Sequence, residues 1–284
     1  MTGRLVDIET RIATVDKLAS VISAMRGIAA ARAQEARRHV DSIRIYAETI
    51  GEAIGHALSF VPQSDLRLAQ DGTEGRRAII LIAAEQGFAG GYSERVFDAA
   101  KPLMSDAHDL FLVGERGLLV AEEREHPVHS SVAMIGQAQQ ATALATQLAE
   151  TVFDALALGR VTQVCVVHAM PNRSQTAQII VRHLVPFDYS RFPPPASGIA
   201  PLITLPPETL LARLVEEYVF SELAEAVMLA FSAENEARMR AMIAAHESVT
   251  DTLDALVSTS WRLRQEEITE EIVELSTGAM TVDS

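Results

Sequence analysis

Apolar residues in the first sixty positions recur at steps of three and four. They are Leu5, Ile8, Ile12, Val15, Ala19 and Ile22, then Met25 and Ala29, then Ala33, Ala36, Val40, Ile43, Ala47, Ile50 and Ile54. A seam this narrow is the pattern of helices that pair along their length, not the wider face of a globular helix. Near Met25 the phase slips by one residue and recovers, which predicts a local change in supercoiling. A helix from about Thr2 to Leu58 spans roughly 80 Å. It is too long to hide its seam within a compact domain, so it requires a partner helix.

The same rhythm returns at the other end. Met242, His246, Val249, Leu253, Leu256, Ser260 and Leu263 repeat the spacing inside a stretch that opens at Pro206 and Pro207 and contains no later Pro. Pro is tolerated in a first helical turn and nowhere deeper, so one helix of about 100 Å is predicted from 207 onward. Charge then decides which seam meets which. Residues 1–45 hold eight Lys and Arg against five Asp and Glu, whereas residues 207–284 hold five against sixteen. Opposite charge favours pairing of the two chain ends with each other, as one antiparallel hairpin.

Between them the period changes. AIILIAA (78–84) is a short apolar run of the kind found in a strand buried on both faces. DLFLVG (109–114), VHSSVAMI (128–135), VTQVCVVHAM (161–170) and TAQIIVRHLVPF (176–187) read as further strands. SERVFDAAKPLM, GERGLLVAEERE and QAQQATALATQLAETVFDALALGR read as the helices that separate the earlier ones. The alternation predicts an α/β layer around a largely parallel sheet. PNRSQ is turn material, and SRFPPPASGIAP (190–201) is too rich in Pro for helix or central strand. The expected organisation is an N-terminal coiled-coil helix (1–60), a central Rossmann-like α/β domain (76–190), a Pro-rich linker (190–206) and a C-terminal coiled-coil helix (207–284).

Composition narrows the function. The formal net charge of -14 argues against wholesale binding of nucleic acid or an anionic membrane. No apolar run reaches the roughly 20 residues of a spanning helix. The N-terminus is charged too early for a secretory signal. The single cysteine, Cys165, lies in an apolar run, which fits a buried side chain and a reducing compartment. The expected location is cytoplasmic. Eight scattered His, one Cys and no H-E-x-x-H or G-x-S-x-G offer neither a metal site nor a nucleophile.

One loop invites chemistry. In AEQGFAGGYSE (84–94), Gly87, Gly90 and Gly91 follow a predicted strand and open a helix. Backbone N–H groups there are able to hold a phosphate, but the G-x-x-G-G spacing matches neither nucleotide signature. The loop is read as a structural turn, with phosphate binding as the alternative. Glu266, Glu267, Glu270, Glu271 and Glu274 cover much of one helix face, as a solvated surface or as a partner surface.

Three stretches together resemble one family. AEQGFAGGYSERVF with LVGERG downstream, SAENEARMRAM (232–242) and RQEEITEEIVELSTGAM (264–280) resemble, in that order, signatures of the gamma subunit of F-type ATP synthases. The N-terminal RIATVDKLASVISAMRGIAAARAQEARR fits that family's first helix more loosely. The resemblance implies a central rotor shaft: a long antiparallel coiled coil of the two chain ends with an α/β domain against its base. The shaft does no bond chemistry and needs no cofactor or metal. Its implied partners are the alpha and beta subunits of the catalytic ring, the epsilon subunit and the membrane ring of c subunits, with no nucleic acid and no direct membrane span. The resemblance places the chain at the cytoplasmic face of the cell membrane, and its shape would bias each beta subunit in turn.

Residue by residue, Arg264, Gln265 and Thr269 match the family's positions near the upper contact with beta-subunit loops, and Met25 and Arg26 of the first helix join them as partner contacts. Gly87, Gly90 and Gly91 carry over as a structural turn. The chain also departs from the family. Lys17 is the only Lys in the first hundred residues, and Ala89 stands where a Cys is usual. Gly27 stands where a second Met is usual, and with Ala29, Ala30, Ala31 and Ala33 nearby it allows either close helix approach or local flexibility. The departures point to a divergent branch, of the kind expected from an alternative F-type ATPase operon. Two rival readings remain: a nucleotide-binding α/β enzyme with a helical dimerisation arm, and a coiled-coil scaffold.

Overall fold

The computed structural model describes residues 2–62, 75–172, 177–194 and 201–282, with the side chains of residue 2 and of residues 274–282 left out of the description. The chain begins with α1 (Thr2–Leu58) and ends with α5 (Pro207–Val282). Between them lie β1 (Arg77–Ile82), α2 (Tyr92–Ala100), β2 (His108–Val113), α3 (Glu115–Glu123), β3 (Ser130–Val132), α4 (Ala141–Ala157), β4 (Gln163–Met170) and β5 (Gln178–Val185). Two compact units share the long helices. One holds residues 1–28 and 239–284, the other residues 29–238.

In the larger unit the sheet order is β3-β2-β1-β4-β5. The first four strands in that order run parallel, and β5 lies antiparallel on the edge beside β4. The central β1 is buried from Ala78 to Ile82, as its unbroken apolar run requires. Its side chains alternate between two cores. Ala78, Ile80 and Ile82 join α4 and the helix residues Ala36, Val40, Leu223 and Val227. Ile79 and Leu81 join α2 and α3 through Val96, Phe97 and Val120. The sheet is thus sandwiched between α2 and α3 on one side and the long helices with α4 on the other.

Three elements differ from their sequence reading. The third strand shrinks to Ser130–Val132, because the Met134 N–H turns away to the Glu85 carboxylate at 2.7 Å. The helix begun at Tyr92 tightens into a 3-10 turn at Lys101–Met104, where Pro102 has no N–H to give. The run from Gln137 opens as a 3-10 turn closed by a capping box between Gln137 and Gln140 before α4 begins. Gly114 precedes α3 at φ +99, and a Cβ there would lie 2.6 Å from the Ala83 carbonyl oxygen. Only glycine fits that close approach of backbone to backbone.

Within this unit α1 and α5 run antiparallel. Arg37 pairs with Glu236, Arg44 with Glu225 at 2.7 Å, and Tyr46 donates to Glu217 at 2.8 Å, so partner numbers fall as α1 advances. Small residues set the spacing. Ala29, Ala33 and Ala36 are buried, and Ser232 comes near enough to donate to the Ala33 carbonyl at 3.3 Å. Nothing lies within 4 Å of the place a Gly27 Cβ would take, so the close approach belongs to these alanines and not to Gly27. Further along α1, Gly51 and Gly55 seat the stretch after β5. Added Cβ atoms would meet Phe192 at 3.0 Å and the Pro193 carbonyl at 2.9 Å. Phe192 stacks with Phe187 and meets Tyr218 edge-on, so the opening residues of the Pro-rich stretch are packed. Residues 195–200 of that stretch, and residues 173–175 of PNRSQ, lie outside the described residues.

In the smaller unit the pairing is looser. Arg264 of α5 meets Glu9 of α1 at 2.9 Å, with both side chains largely in solvent. The seam positions Leu5, Ile8, Ile12, Val15 and Ala19 are half-buried, and Ile22, Met242 and Ser260 are buried.

Candidate partner-contact surfaces

The smaller unit presents two exposed stripes. On α5, Gln265 and Thr269 are exposed, and the Thr269 hydroxyl donates to the Gln265 carbonyl at 2.8 Å. They line a shallow groove with Arg262, Glu266 and Glu270. The Gln265 side chain has no hydrogen-bond partner among the described residues, so its amide is available to another chain. Trp261, Ile268 and Ile272 are exposed on the same element, Trp261 by 69%. The spacing 261, 265, 268, 272 puts all four side chains on one helix face. A Trp and two Ile framed by Arg and Glu have the make-up of an interface core and rim. The Glu274 side chain and the tail 275–280 lie outside the described side chains.

Arg264 is committed to Glu9. An exposed pair of this kind contributes little to stability, about 0–1 kcal/mol, and exchanges readily for a partner's carboxylate or carbonyl. Met25 is half-buried and Arg26 exposed. They lie about 24 Å along α1 from Glu9, so the structure does not bring them together with Arg264. Met25 shares an exposed apolar stripe with Leu18, Val21 and Ile28. That stripe, and Trp261 with Ile268 and Ile272, were missed from sequence because each lies beside a seam of the same period.

In the larger unit the glycine loop sits against α5. Gly90 takes φ +60 and Phe88 φ +61, while Gly91 caps α2 at φ -75. The Gln86 N–H donates to Glu234 at 3.3 Å, and Arg238 donates to the carbonyls of Gln86 at 3.1 Å and Gly87 at 3.2 Å. Glu234 and Arg238 are 3% and 5% exposed and pair at 2.5 Å. The Tyr92 hydroxyl donates to the Ala230 carbonyl at 3.2 Å. Burial, and then the Glu234 carboxylate, push that phenol well above its usual pKa, so it stays a neutral donor. Glu85 accepts from the Glu115 and Met134 N–H groups. A phosphate approaching this loop meets two carboxylates, an occupied amide and a cleft of about 100 Å³. The arrangement favours a latched turn over a phosphate cradle.

A wider cleft lies where β5, α1 and α5 meet, lined by Arg44, Arg182, Arg191, Tyr218, Glu222 and Glu225 among others. Its guanidinium groups are already answered: Arg182 by Glu222 and Glu225, Arg44 by Glu225, and Arg191 by the Tyr218 oxygen and Glu222. Burial works against the charge on Glu225, but Arg182 and Arg44 hold its pKa below the usual value. Within β4, His168 is fully buried with Nε2 unpartnered. Burial, and then Arg182, lower its pKa to about 4. Burial raises the Cys165 pKa to about 11, which leaves an unreactive thiol. Among the described residues no group of His, Cys, Asp and Glu is placed to hold a metal, and no helix is long and apolar enough to cross a membrane.

A latched loop, committed charges and exposed helix stripes suit contact with other proteins better than turnover, and the comparisons agree. A family model described as ATP synthase matches residues 4–282. The chain belongs to the ATP synthase gamma family. The ATP synthase gamma chain of Parafrankia sp. (strain EAN1pec) is 28% identical over 296 residues, covering 100% of this chain and 99% of that protein. The ATP synthase gamma chain of Moorella thermoacetica is 27% identical over 285 residues, with 96% and 97% covered. The fold is that of a chain in the rotor of the Euglena gracilis mitochondrial ATP synthase, with a TM-score of 0.64 at 15% identity over 94% of this chain and 100% of that one. A second Euglena structure, of the OSCP/F1/c-ring assembly, gives a TM-score of 0.68 at 14% identity over 99% and 95%. As a gamma-family chain it is a non-catalytic subunit of an ATP synthase.

Proposed function

We propose that this chain is the rotating shaft that couples ion-driven turning of a membrane ring of c subunits to ATP synthesis or hydrolysis in a ring of alpha and beta subunits. In this reading α1 and α5 form a coiled coil whose smaller unit, with Trp261, Arg264, Gln265, Ile268 and Thr269, bears on the alpha/beta ring. Met25 and Arg26 make a second contact lower on the same hairpin. The larger unit carries the contacts to epsilon and the c ring, peripheral to the cytoplasmic face of the cell membrane. The shaft works by differential contact: a turning asymmetric surface favours a different state of each beta subunit in turn.

The observation that carries the reading is the exposed stripe through Trp261, Gln265, Ile268 and Ile272 on a hairpin whose seam is only half-buried. It is supported by membership of the gamma family over nearly the whole chain. The test is co-purification with alpha and beta subunits. Arg264→Ala with Gln265→Ala weakens that assembly or lowers the ions moved per ATP. Wild-type assembly and coupling in the double variant remove these residues from the contact, and failure of the unaltered chain to hold the ring removes the shaft reading.

A further inference from the structure

Gly51 and Gly55 lie inside α1, one turn apart on the same face. Glycine is less favourable than alanine within a helix. Here the two together make a notch. A Cβ at Gly51 would lie 3.0 Å from the Phe192 ring, and one at Gly55 would lie 2.9 Å from the Pro193 carbonyl oxygen. The stretch 187–193 that fills the notch comes straight from β5 and also grips α5. Phe192 meets the Tyr218 ring edge-on at 4.9 Å and stacks on Phe187 at 5.5 Å. Arg191 lies over the Phe192 and Tyr218 rings at 5.7 and 5.5 Å. It donates to the Tyr218 oxygen at 2.9 Å and pairs with Glu222 at 3.4 Å.

These contacts make a core of their own. Phe192 and Tyr218 gather with Ile54, Ala57, Val61 and Leu211, apart from the two cores that flank the sheet. The surfaces here differ in shape from those higher on the same pair of helices. Around Ala29, Ala33 and Ala36 the contact is made by small side chains, whose shallow ridges resist sliding weakly. At the notch a ring lies in a recess of α1 and against an aromatic of α5, and its chain runs on into the sheet. Nearby, Arg182 of β5 pairs with Glu222 and Glu225, and Glu225 also holds Arg44 of α1. The edge of the sheet is therefore tied to both helices twice, once by charge and once by shape. Partly exposed ion pairs yield and re-form at little cost. A close-packed ring cannot shift without opening a void.

We propose that Phe192 is a positioning residue: seated in the Gly51 and Gly55 notch of α1 and against Tyr218 of α5, it keys the β5 edge of the sheet to both helices, so that the larger unit turns as one body. The inference rests on the shaft reading and adds where this chain locks its sheet to the shaft.

The experiment uses complexes of the full chain with alpha and beta subunits, held still by the ring. A bead is tethered through Glu122→Cys, an exposed position on α3; the native Cys165 is buried and does not compete. With hydrolysis stalled, the spread of bead angles reads how firmly the sheet follows the helices. Phe192→Ala raises the variance about twofold, on the order of what one residue in a coupling path contributes, while the complex still assembles and hydrolyses ATP. Phe192→Leu keeps an apolar side chain without the flat ring and raises it less. Leu211→Ala removes buried surface from the same core, two turns from Tyr218 on α5, and leaves the wild-type spread. A wild-type spread in Phe192→Ala, or in Phe192→Leu where the alanine variant does not fold, overturns the proposal. Equal widening in Leu211→Ala overturns it as well, because ordinary packing then accounts for the effect. A bead on the Glu122→Cys chain, otherwise unaltered, that never turns with ATP overturns the shaft reading and this inference with it.

Discussion

The larger and smaller units use the same two helices in opposite ways. In residues 29–238 the seam is sealed: Ala29, Ala33, Ala36 and Val40 are buried, and Leu223, Val227 and Phe231 fit against the sheet. Charges there are drawn inward and matched, as with Arg182 between Glu222 and Glu225. In residues 1–28 and 239–284 the same spacing leaves most seam positions half-buried, with Leu18, Val21, Trp261 and Ile268 in solvent. Two helices alone cannot cover a seam on all sides; a sheet and α4 complete the job in one unit, and no other described element does so in the other. The difference teaches that one unit derives its stability from its own chain while the other leaves surface exposed, which the proposed function assigns to a partner.

The largest test of that contrast is a pair of truncations. Leu223→Ala, in the sealed unit, costs about 2–5 kcal/mol, the range for a fully buried leucine. Leu263→Ala, at a half-buried seam position, costs about 1 kcal/mol on the area it hides. Denaturant unfolding of the isolated chain reads both, and equal losses would erase the distinction between the units.

Acid sharpens the contrast next. His168 titrates near 4 in the fold against about 6.5 when unfolded, so the unfolded chain binds the extra proton between those values. The neutral, buried form therefore favours folding fully above pH 6.5, and this contribution is lost as pH falls from 6.5 to 4, by about 3 kcal/mol in all. Arg182, Glu222 and Glu225 lie close enough to His168 to bias that titration. Glu225, with its lowered pKa, adds a loss of the same sign at more acidic pH. His168→Leu flattens the slope between pH 6.5 and 4; an unchanged slope in that variant places the sensitivity elsewhere.

Two glycines separate the units at smaller scale. Gly27→Ala, with open space around the new methyl, stabilises α1 by about 0.5–1 kcal/mol. Gly55→Ala drives a methyl against the Pro193 carbonyl and destabilises despite the same gain in helix propensity. Thermal unfolding of the two variants reads the sign, and a stabilised Gly55→Ala chain would show the packing there to be loose. The smallest effect belongs to Arg264→Ala, expected within about 1 kcal/mol of wild type in the free chain because its pair with Glu9 lies in solvent.

Much of the fold was legible because long-period patterns report burial directly. The α1 seam was read from Leu5 to Ile54 and its positions are the less exposed ones in the structure. AIILIAA became the central strand for the reason its composition implies. Short elements were less legible. The edge strand at Ser130–Val132 is bounded by a hydrogen bond to Glu85, which lies 49 residues away from Met134 in sequence and leaves no local mark. No local pattern marks Glu222, Glu234 and Arg238 as buried, since charged residues seldom are. Their burial depends on Gln86, Gly87 and Arg182, which only the folded chain supplies. The family resemblance pointed to Arg264, Gln265 and Thr269. It assigned no contact to Trp261 or Ile268, where exposure rather than identity is the signal.

The most direct measurement is amide hydrogen exchange of the chain alone and in complex with alpha and beta subunits. The account predicts that amides of 242–273 exchange quickly in the free chain and slow by orders of magnitude in the complex, while those of β1 and of residues 219–237 are slow in both. Slow exchange at 242–273 in the free chain, or no change there on assembly, would contradict the claim that this half of the hairpin is kept open for a partner.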